Sequence, residues 1–348
     1  MSSFKSIPSG RPIRVVQAGC GAMAQAWVER TLRTQDLELV GLVDLQREAA
    51  EKTALRFNLP GRLIFNTLKD ALDMQRPDVV FDTTVPASHC AVTLQALKAG
   101  CHVLGEKPLS DNMACAKKMC AAAKTARRLF AVTQNRRHNE HAAALQAALA
   151  GGLVGGLSSL DADFYLGAHS EGFRLTMPHV LLLDMAIHTF DQARMISGCD
   201  PVAVFCHEYN PKGSWYKGAA GAVCIFEMTH GVIFTYRGSW VAEGFQTSWE
   251  STWRAIGSKG TIVWDGGSSP RAQIPAADTG FQRETLDVPV PPITLAHTGH
   301  DGAMSDFIRA LRTGEDPQSA CHDNIKSLSM CFAAIESSKN GRRVKIKW

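Results

Sequence analysis

None of the ten cysteines in this 348-residue chain forms a CxxC pair, and no uninterrupted apolar stretch approaches the roughly 20 residues a membrane span needs. The missing CxxC spacing argues against a zinc site and against a disulfide framework. Most cysteines fall singly in apolar surroundings (Cys90, Cys101, Cys199, Cys206, Cys224, Cys331), which reads as buried, reduced thiols in a cytoplasmic protein. Basic residues form no stripe: the densest groups are the pairs Arg127-Arg128, Arg136-Arg137 and Arg342-Arg343. A net charge of +4 scattered in this way leaves no nucleic-acid footprint, and it suits an anionic ligand such as a pyrophosphate equally well. Residues 1–10 are polar, contain Pro and Gly, and lack the apolar core of a signal peptide, so a loose tail is expected there. No internal repeat or low-complexity tract is present.

A hydrophobic content of 45% with 20% charged residues is that of an ordinary globular protein, and the length calls for two domains. Strand-like and helical segments alternate as far as about residue 135. Strands are expected at Ile13–Ala18, Leu37–Val43, Ile64-Phe65, Asp78–Thr84, His102–Gly105 and Leu129–Thr133. Helices are expected at Ala22–Thr34, Gln46–Phe57, Leu68–Met74, Ser88–Ala99 and Met113–Arg127. This α/β rhythm is that of a doubly wound parallel sheet, assigned to residues 11–134. Residues 135–348 read as an α+β domain with a large, open, mainly antiparallel sheet. Strands there are expected from Ser158 to Trp264, interrupted by one long helix at Val180–Ile196. Gly266–Pro292 reads as a long edge loop, and Asp301–Leu311 and Asn324–Ser338 as closing helices, with Asp301 as an N-cap.

Gly19-Cys20-Gly21-Ala22-Met23-Ala24 matches GxGxxG/A directly after a strand and before a helix. The first glycine permits a tight turn, and the second lets the backbone approach a pyrophosphate seated on the helix N-terminus. Asp44, at the end of the second strand, is placed to accept hydrogen bonds from ribose hydroxyls and favours NAD, because its charge repels a 2′-phosphate. Arg47, three residues on, keeps NADP as the alternative.

Two further constellations carry chemistry. Glu106-Lys107-Pro108 follows the fifth strand, where such a sheet opens its ligand crevice, and Pro108 keeps Lys107 out of helical geometry. A lysine there can steady a developing alkoxide; alone it also reads as a surface lysine. Asp184, His188 and Asp191 fall at spacings of four and three on one face of the long helix. Buried, these groups must be paired or functional; exposed, Asp184 and His188 are a surface pair. Without a third ligand the metal reading is the weaker one, and no metal is expected.

Taken together, these motifs resemble the Gfo/Idh/MocA oxidoreductases, the relatives of glucose–fructose oxidoreductase and inositol dehydrogenase. The resemblance spans essentially the whole chain and includes Asp82-Thr83-Thr84-Val85-Pro86 with His89, Asn135-Arg136-Arg137, and Ile256-Gly257-Ser258-Lys259-Gly260. It implies an N-terminal Rossmann domain and a C-terminal sheet that often forms a homo-oligomer interface, here of a dimer or tetramer. It further implies that Thr84, Pro86, His89, Glu106 and Asn135 line the cofactor, with Gly19, Gly21, Ala22, Met23, Asp44 and Lys107. Lys107 and His188 would flank the carbinol of a small polyhydroxylated substrate, a sugar, cyclitol or sugar acid, with Asp184 as a further polar contact. Ala186 and Ala24 stand where many relatives carry glycine; both are small.

The resemblance also puts Arg174 and His179 beside the substrate. Arg174 either clamps an anionic group or covers the helix start. Trp240, Trp249 and Trp253 read as sheet packing rather than a sugar-stacking platform. Two other functions remain open on this fold: an NAD-dependent glycosidase, and a non-catalytic dinucleotide sensor, against which the joint presence of Lys107 and His188 speaks.

Overall fold

A computed structural model describes residues 4–348. The chain leaves its first compact unit after Thr133 and returns to it for Ala303–Ile325; Gln134–Gly302 and Lys326–Trp348 make the second. The expected division at residues 134 and 135 does not include that return. Its cause is apolar: Met304, Phe307, Ala310 and Leu311 share one buried cluster with Trp27, Phe81 and Leu104 of the first unit.

In that unit β1 (Ile13–Ala18), β2 (Leu37–Val43), β3 (Ile64–Phe65), β4 (Val79–Asp82), β5 (His102–Gly105) and β6 (Phe130–Val132) alternate with helices. These are α1 (Ala22–Arg33), α2 (Arg47–Arg56), α3 (Leu68–Gln75), α4 (Pro86–Lys98) and α5 (Met113–Ala126). All strand pairs are parallel, in the order β3-β2-β1-β4-β5-β6. This is the Rossmann order, with its switch point between β1 and β4. The helix starts follow local chemistry. Thr67 and Asn112 accept hydrogen bonds from first-turn N–H groups of α3 and α5, and Pro86 opens α4. Residues 4–10 are not loose: Phe4 and Ile7 are buried, and the N–H of Ile7 donates to the carbonyl of Leu311 at 2.7 Å. Two apolar side chains are enough to hold the segment down. Residues 1–3 lie outside the described residues.

The second unit starts with α6 (Glu140–Ala150), capped by Asn139, and β7 (Leu157–Tyr165). A π-helical turn, Leu181–Ala186, runs into α7 (Ile187–Ser197). Then follow β8 (Pro201–Tyr209), β9 (Gly221–Met228), β10 (Ile233–Ser239), β11 (Thr252–Gly257), β12 (Gly260–Trp264), β13 (Arg271–Pro275) and β14 (Thr285–Val288). The helices α8 (Gly299–Thr313) and α9 (Cys321–Asn340) carry the chain out and back before β15 (Val344–Lys345). The nine strands lie in the order β14-β13-β12-β11-β7-β10-β9-β8-β15 and pair antiparallel except for β7 with β10, which is parallel. One face packs on α7, where Phe190 meets Phe226, Phe234 and Tyr236 edge-on.

Four expectations for this chain need correction. The long helix is not α-helical throughout, because the wider π turn carries Asp184. The expected edge loop at Gly266–Pro292 contains the β13–β14 hairpin, paired Ala272 to Val288 through Pro275 to Thr285. Helix α8 starts at Gly299, so Asp301 lies inside its first turn instead of capping it. Of the cysteines expected to be buried, Cys90 is only half-buried; the Sγ atoms of Cys206 and Cys224 meet at 3.4 Å across β8 and β9, and Cys120 Sγ donates to the Cys321 carbonyl at 3.5 Å. All ten are free thiols.

Candidate active site

The dinucleotide half is built at the carboxyl ends of β1, β2 and β4. Gly19 holds φ +85°, and a Cβ there would stand 2.8 Å from the Thr83 carbonyl carbon and the Thr84 nitrogen, so only glycine fits. Gly21 faces open space and is the N-cap of α1, which has no capping side chain. With Ala22 and Met23 also exposed, the first N–H groups of α1 are left to an anion. Asp44 is held rigidly: its Oδ2 accepts from the Cys20 N–H at 2.7 Å and its Oδ1 from the Gln46 N–H at 2.8 Å. Each oxygen keeps a lone pair for a ribose hydroxyl. Arg47, the residue that kept NADP open, is engaged elsewhere, donating to Glu51 at 2.8 Å and to Asn66 at 2.5 Å. The residues present fit NAD.

Around β4 and β5 the expected cofactor residues divide. Thr84 donates through Oγ1 to Asp82 Oδ1 at 2.6 Å and is half-buried, as is Pro86. His89 is enclosed instead of lining an open surface, and its Nδ1 stands 3.1 Å from Asp82 Oδ2. It braces the acid that holds Thr84. Glu106 is also turned inward, accepting from the Trp27 indole N–H at 2.8 Å and from the Lys107 N–H at 3.2 Å. Lys107 is half-buried and joined to Pro108 by a cis peptide bond.

The second unit holds the other candidates. Asp184 is 5% exposed and His188 7%, so the alternative of a surface pair is corrected: both are buried. Arg174 donates from Nε to Asp184 Oδ2 at 2.6 Å, and its guanidinium lies 4.9 Å from the Phe173 ring centre. Asp191 is separated from this group. It binds Arg137 in a two-pronged buried pair at 2.6 and 2.8 Å and accepts from Ser327 Oγ at 2.7 Å, a structural bond of the fold. His179, just before the π turn, is held by Glu208, Nδ1 to Oε2 2.8 Å. Trp240 and Trp253 are buried in packing as expected, whereas Trp249 is exposed.

Sequence reasoning missed Glu208, Arg136 as more than one of a basic pair, and Glu250. None carries a local signal: Glu208 meets His179 and Glu250 meets Gln192 only through tertiary structure, and Arg136 is buried by it. Asn135, Arg136 and Glu250 line a cleft of about 320 Å³. A broader cleft of about 1080 Å³ lies on the sheet face opposite α7, among the outward residues Asp163, Val223, Ile225, Arg237 and Arg254. It contains none of the candidate catalytic groups. Among the described residues, no helix is long and apolar enough to cross a membrane.

Known proteins give the same assignment. Residues 13–146 match the oxidoreductase family with an NAD-binding Rossmann fold, and residues 142–263 match the GFO/IDH/MocA C-terminal domain. The 1,5-anhydro-D-fructose reductase of Ensifer adhaerens is 23% identical over 94% of this chain and 97% of its own length. An inositol 2-dehydrogenase from Gluconacetobacter diazotrophicus is 33% identical over 51% of this chain and 52% of its own. The crystal structure of an oxidoreductase from Agrobacterium radiobacter, in complex with NAD+, L-tartaric acid and magnesium, superposes with a TM-score of 0.83. It does so at 20% identity, over 96% of this chain and 98% of that one. With the Rossmann strand order, the glycine turn and the orientation of Asp44, these matches establish that the chain belongs to the Gfo/Idh/MocA family of NAD-binding oxidoreductases.

Proposed function

We propose that the protein oxidises a carbinol carbon of a small polyhydroxylated substrate, a sugar, cyclitol or sugar acid, or reduces the carbonyl in the reverse sense. The observation that carries this reading is the burial of Asp184 and His188 on consecutive turns of one helix in a chain that also binds NAD. Relatives named as reductases and dehydrogenases of anhydrofructose and inositol support the substrate class. NAD, when bound, supplies the hydride acceptor. Gly19, Gly21, Ala22, Met23, Asp44, Thr84, Pro86 and Asn135 hold it, with His89 and Glu106 acting as braces behind them.

His188 takes the hydroxyl proton as the carbinol becomes a carbonyl. Lys107 donates to the same oxygen, lowering the energy of its developing charge. Asp184, hydrogen-bonded by Arg174, is a polar contact for substrate, and Arg174 and His179 border it. The test is a panel of polyols, aldoses and sugar acids with NAD and NADP, read by absorbance of the reduced nicotinamide. His188→Ala should lower kcat by roughly 10²- to 10⁴-fold, the usual contribution of a positioned acid–base group. Turnover that survives both Lys107→Ala and His188→Ala overturns these roles.

The sheet face away from α7 supports a homo-oligomer. Phe205 and Ile225 are directly paired across β8 and β9, with Val223 nearby, and all three are exposed. Such an exposed apolar group fits cover by a second copy of the chain.

A further inference from the structure

We infer that the cleft beside Asn135 is a substrate subsite in which Arg136 and Glu250 together grip adjacent hydroxyls of an uncharged polyol. The inference rests on the hydride-transfer reading and narrows its substrate class, separating polyols from sugar acids. At about 320 Å³ the cleft is near the lower bound of small-molecule sites, roughly 300 Å³, and suits a monosaccharide-sized ligand.

Its lining is chemically incomplete without a ligand. The Arg136 side chain is 7% exposed, yet its guanidinium donates a hydrogen bond to none of the described residues, and Nη1 is enclosed with no acceptor. The nearest carboxylate oxygen, Glu250 Oε1, is 3.9 Å from Nε, beyond hydrogen-bond reach, and the Phe164 ring lies 6.0 Å away. A deeply set guanidinium without acceptors is costly, and oxygen atoms of a ligand remove the cost. Glu250 is half engaged: Oε2 accepts from Gln192 Nε2 at 2.7 Å, while Oε1 accepts nothing. Gln192 lies four residues beyond His188 on α7, so the acid is steadied from the helix face that carries the proposed base.

A donor and an acceptor standing side by side match a vicinal diol, in which one hydroxyl oxygen accepts from Arg136 and the neighbouring O–H donates to Glu250. The charges of the two side chains cancel. Glu140, whose Oε1 accepts from the Leu295 N–H at 3.0 Å, adds a second carboxylate to the wall. With His138 and His141 neutral, the lining carries one net negative charge, which disfavours the carboxylate of a sugar acid.

The experiment compares myo-inositol and D-glucose with gluconate and glucuronate on wild type, Arg136→Lys, Arg136→Met and Glu250→Gln, by steady-state kinetics with NAD. Equilibrium dialysis of the same probes against NAD-loaded protein runs in parallel. The expected result is tighter use of an uncharged polyol than of the acids by wild type. In the variants its KM should rise about tenfold, the scale of a lost charge-assisted hydrogen bond, with kcat within threefold and NAD affinity unchanged. If Arg136→Met does not fold, the lysine and glutamine variants decide. A KM unmoved in both, a wild-type preference for the acids, or no polyol binding at all overturns the subsite. Polyol binding that depends on Arg136 without any turnover overturns hydride transfer and leaves the subsite standing.

Discussion

Arg174 and Asp184 are joined by a 2.6 Å hydrogen bond between a 3₁₀ turn at Gly172–Thr176 and the π-helical turn that precedes α7. The arginine is 34% exposed in its side chain while the aspartate is buried, so the pair is asymmetric: one partner can exchange with water and the other cannot. Arg174→Gln therefore leaves an enclosed carboxylate with less compensation. Discounted for the exposure of the arginine, the expected loss is about 1–2 kcal/mol of stability, with a fall of roughly tenfold in kcat/KM. Thermal melting and steady-state kinetics check both. An unchanged kcat/KM would separate Asp184 from the chemistry.

Cofactor choice is testable at Asp44. Both oxygens are already oriented by backbone N–H groups, so replacing the residue removes a preorganised acceptor pair. Asp44→Ser should weaken NAD binding about tenfold and improve NADP binding relative to NAD, measured by calorimetric titration of both dinucleotides. Freeing Arg47 as well, by Glu51→Ala together with Asn66→Ala, should extend the shift, since that guanidinium is otherwise tied to both side chains.

Acid stability should reflect His102. Burial pushes this imidazole down to about 3, and its Nδ1 accepts from the Leu129 N–H at 2.9 Å, which requires the neutral ring. The folded value lies below the unfolded one of about 6.5, so the unfolded chain binds the proton first. Stability is complete above about pH 6.5 and falls as pH drops from there toward about 3, by at most about 1.4 kcal/mol per pH unit. Denaturant titrations across that range, on wild type and His102→Asn, should show the slope in wild type and a shallower one in the variant.

Ile225→Asp places a charge in the exposed apolar group of the outward sheet face, directly opposite Phe205. Light scattering should record wild type as an oligomer and the variant as a smaller species. Because Ile225 is exposed, the melting temperature of the variant at low protein concentration should stay within a few degrees. A monomeric wild type would remove the oligomer proposal.

Legibility in the sequence followed the range of the forces involved. Strands β1, β2, β3 and β5 begin and end on the expected residues because short apolar runs bounded by Gly, Asp or Asn carry their own limits. Gly19 and Asp44 were readable because both sit at strand ends of one βαβ unit. Partners that meet through tertiary structure were not readable. Asp191 looked like a third member of the Asp184/His188 stripe, but Arg137, 54 residues away, claims it. Glu208 reaches His179 only because β8 passes that point, and Cys206 meets Cys224 only through strand register. The β13–β14 hairpin was hidden by the Gly, Ser and Pro content of its surroundings, which resembles a loop whether or not strands pair within it.

The return of Ala303–Ile325 to the first unit bears on how the protein is made. Phe307 meets Phe81 edge-on in the same core that encloses Trp27, so the nucleotide fold lacks part of its interior until residues 303–325 have left the ribosome. A nascent chain halted at residue 134 would carry a finished glycine turn on an unfinished core, and fragments cut there should be handled as chaperone clients and not as a free-standing dinucleotide module.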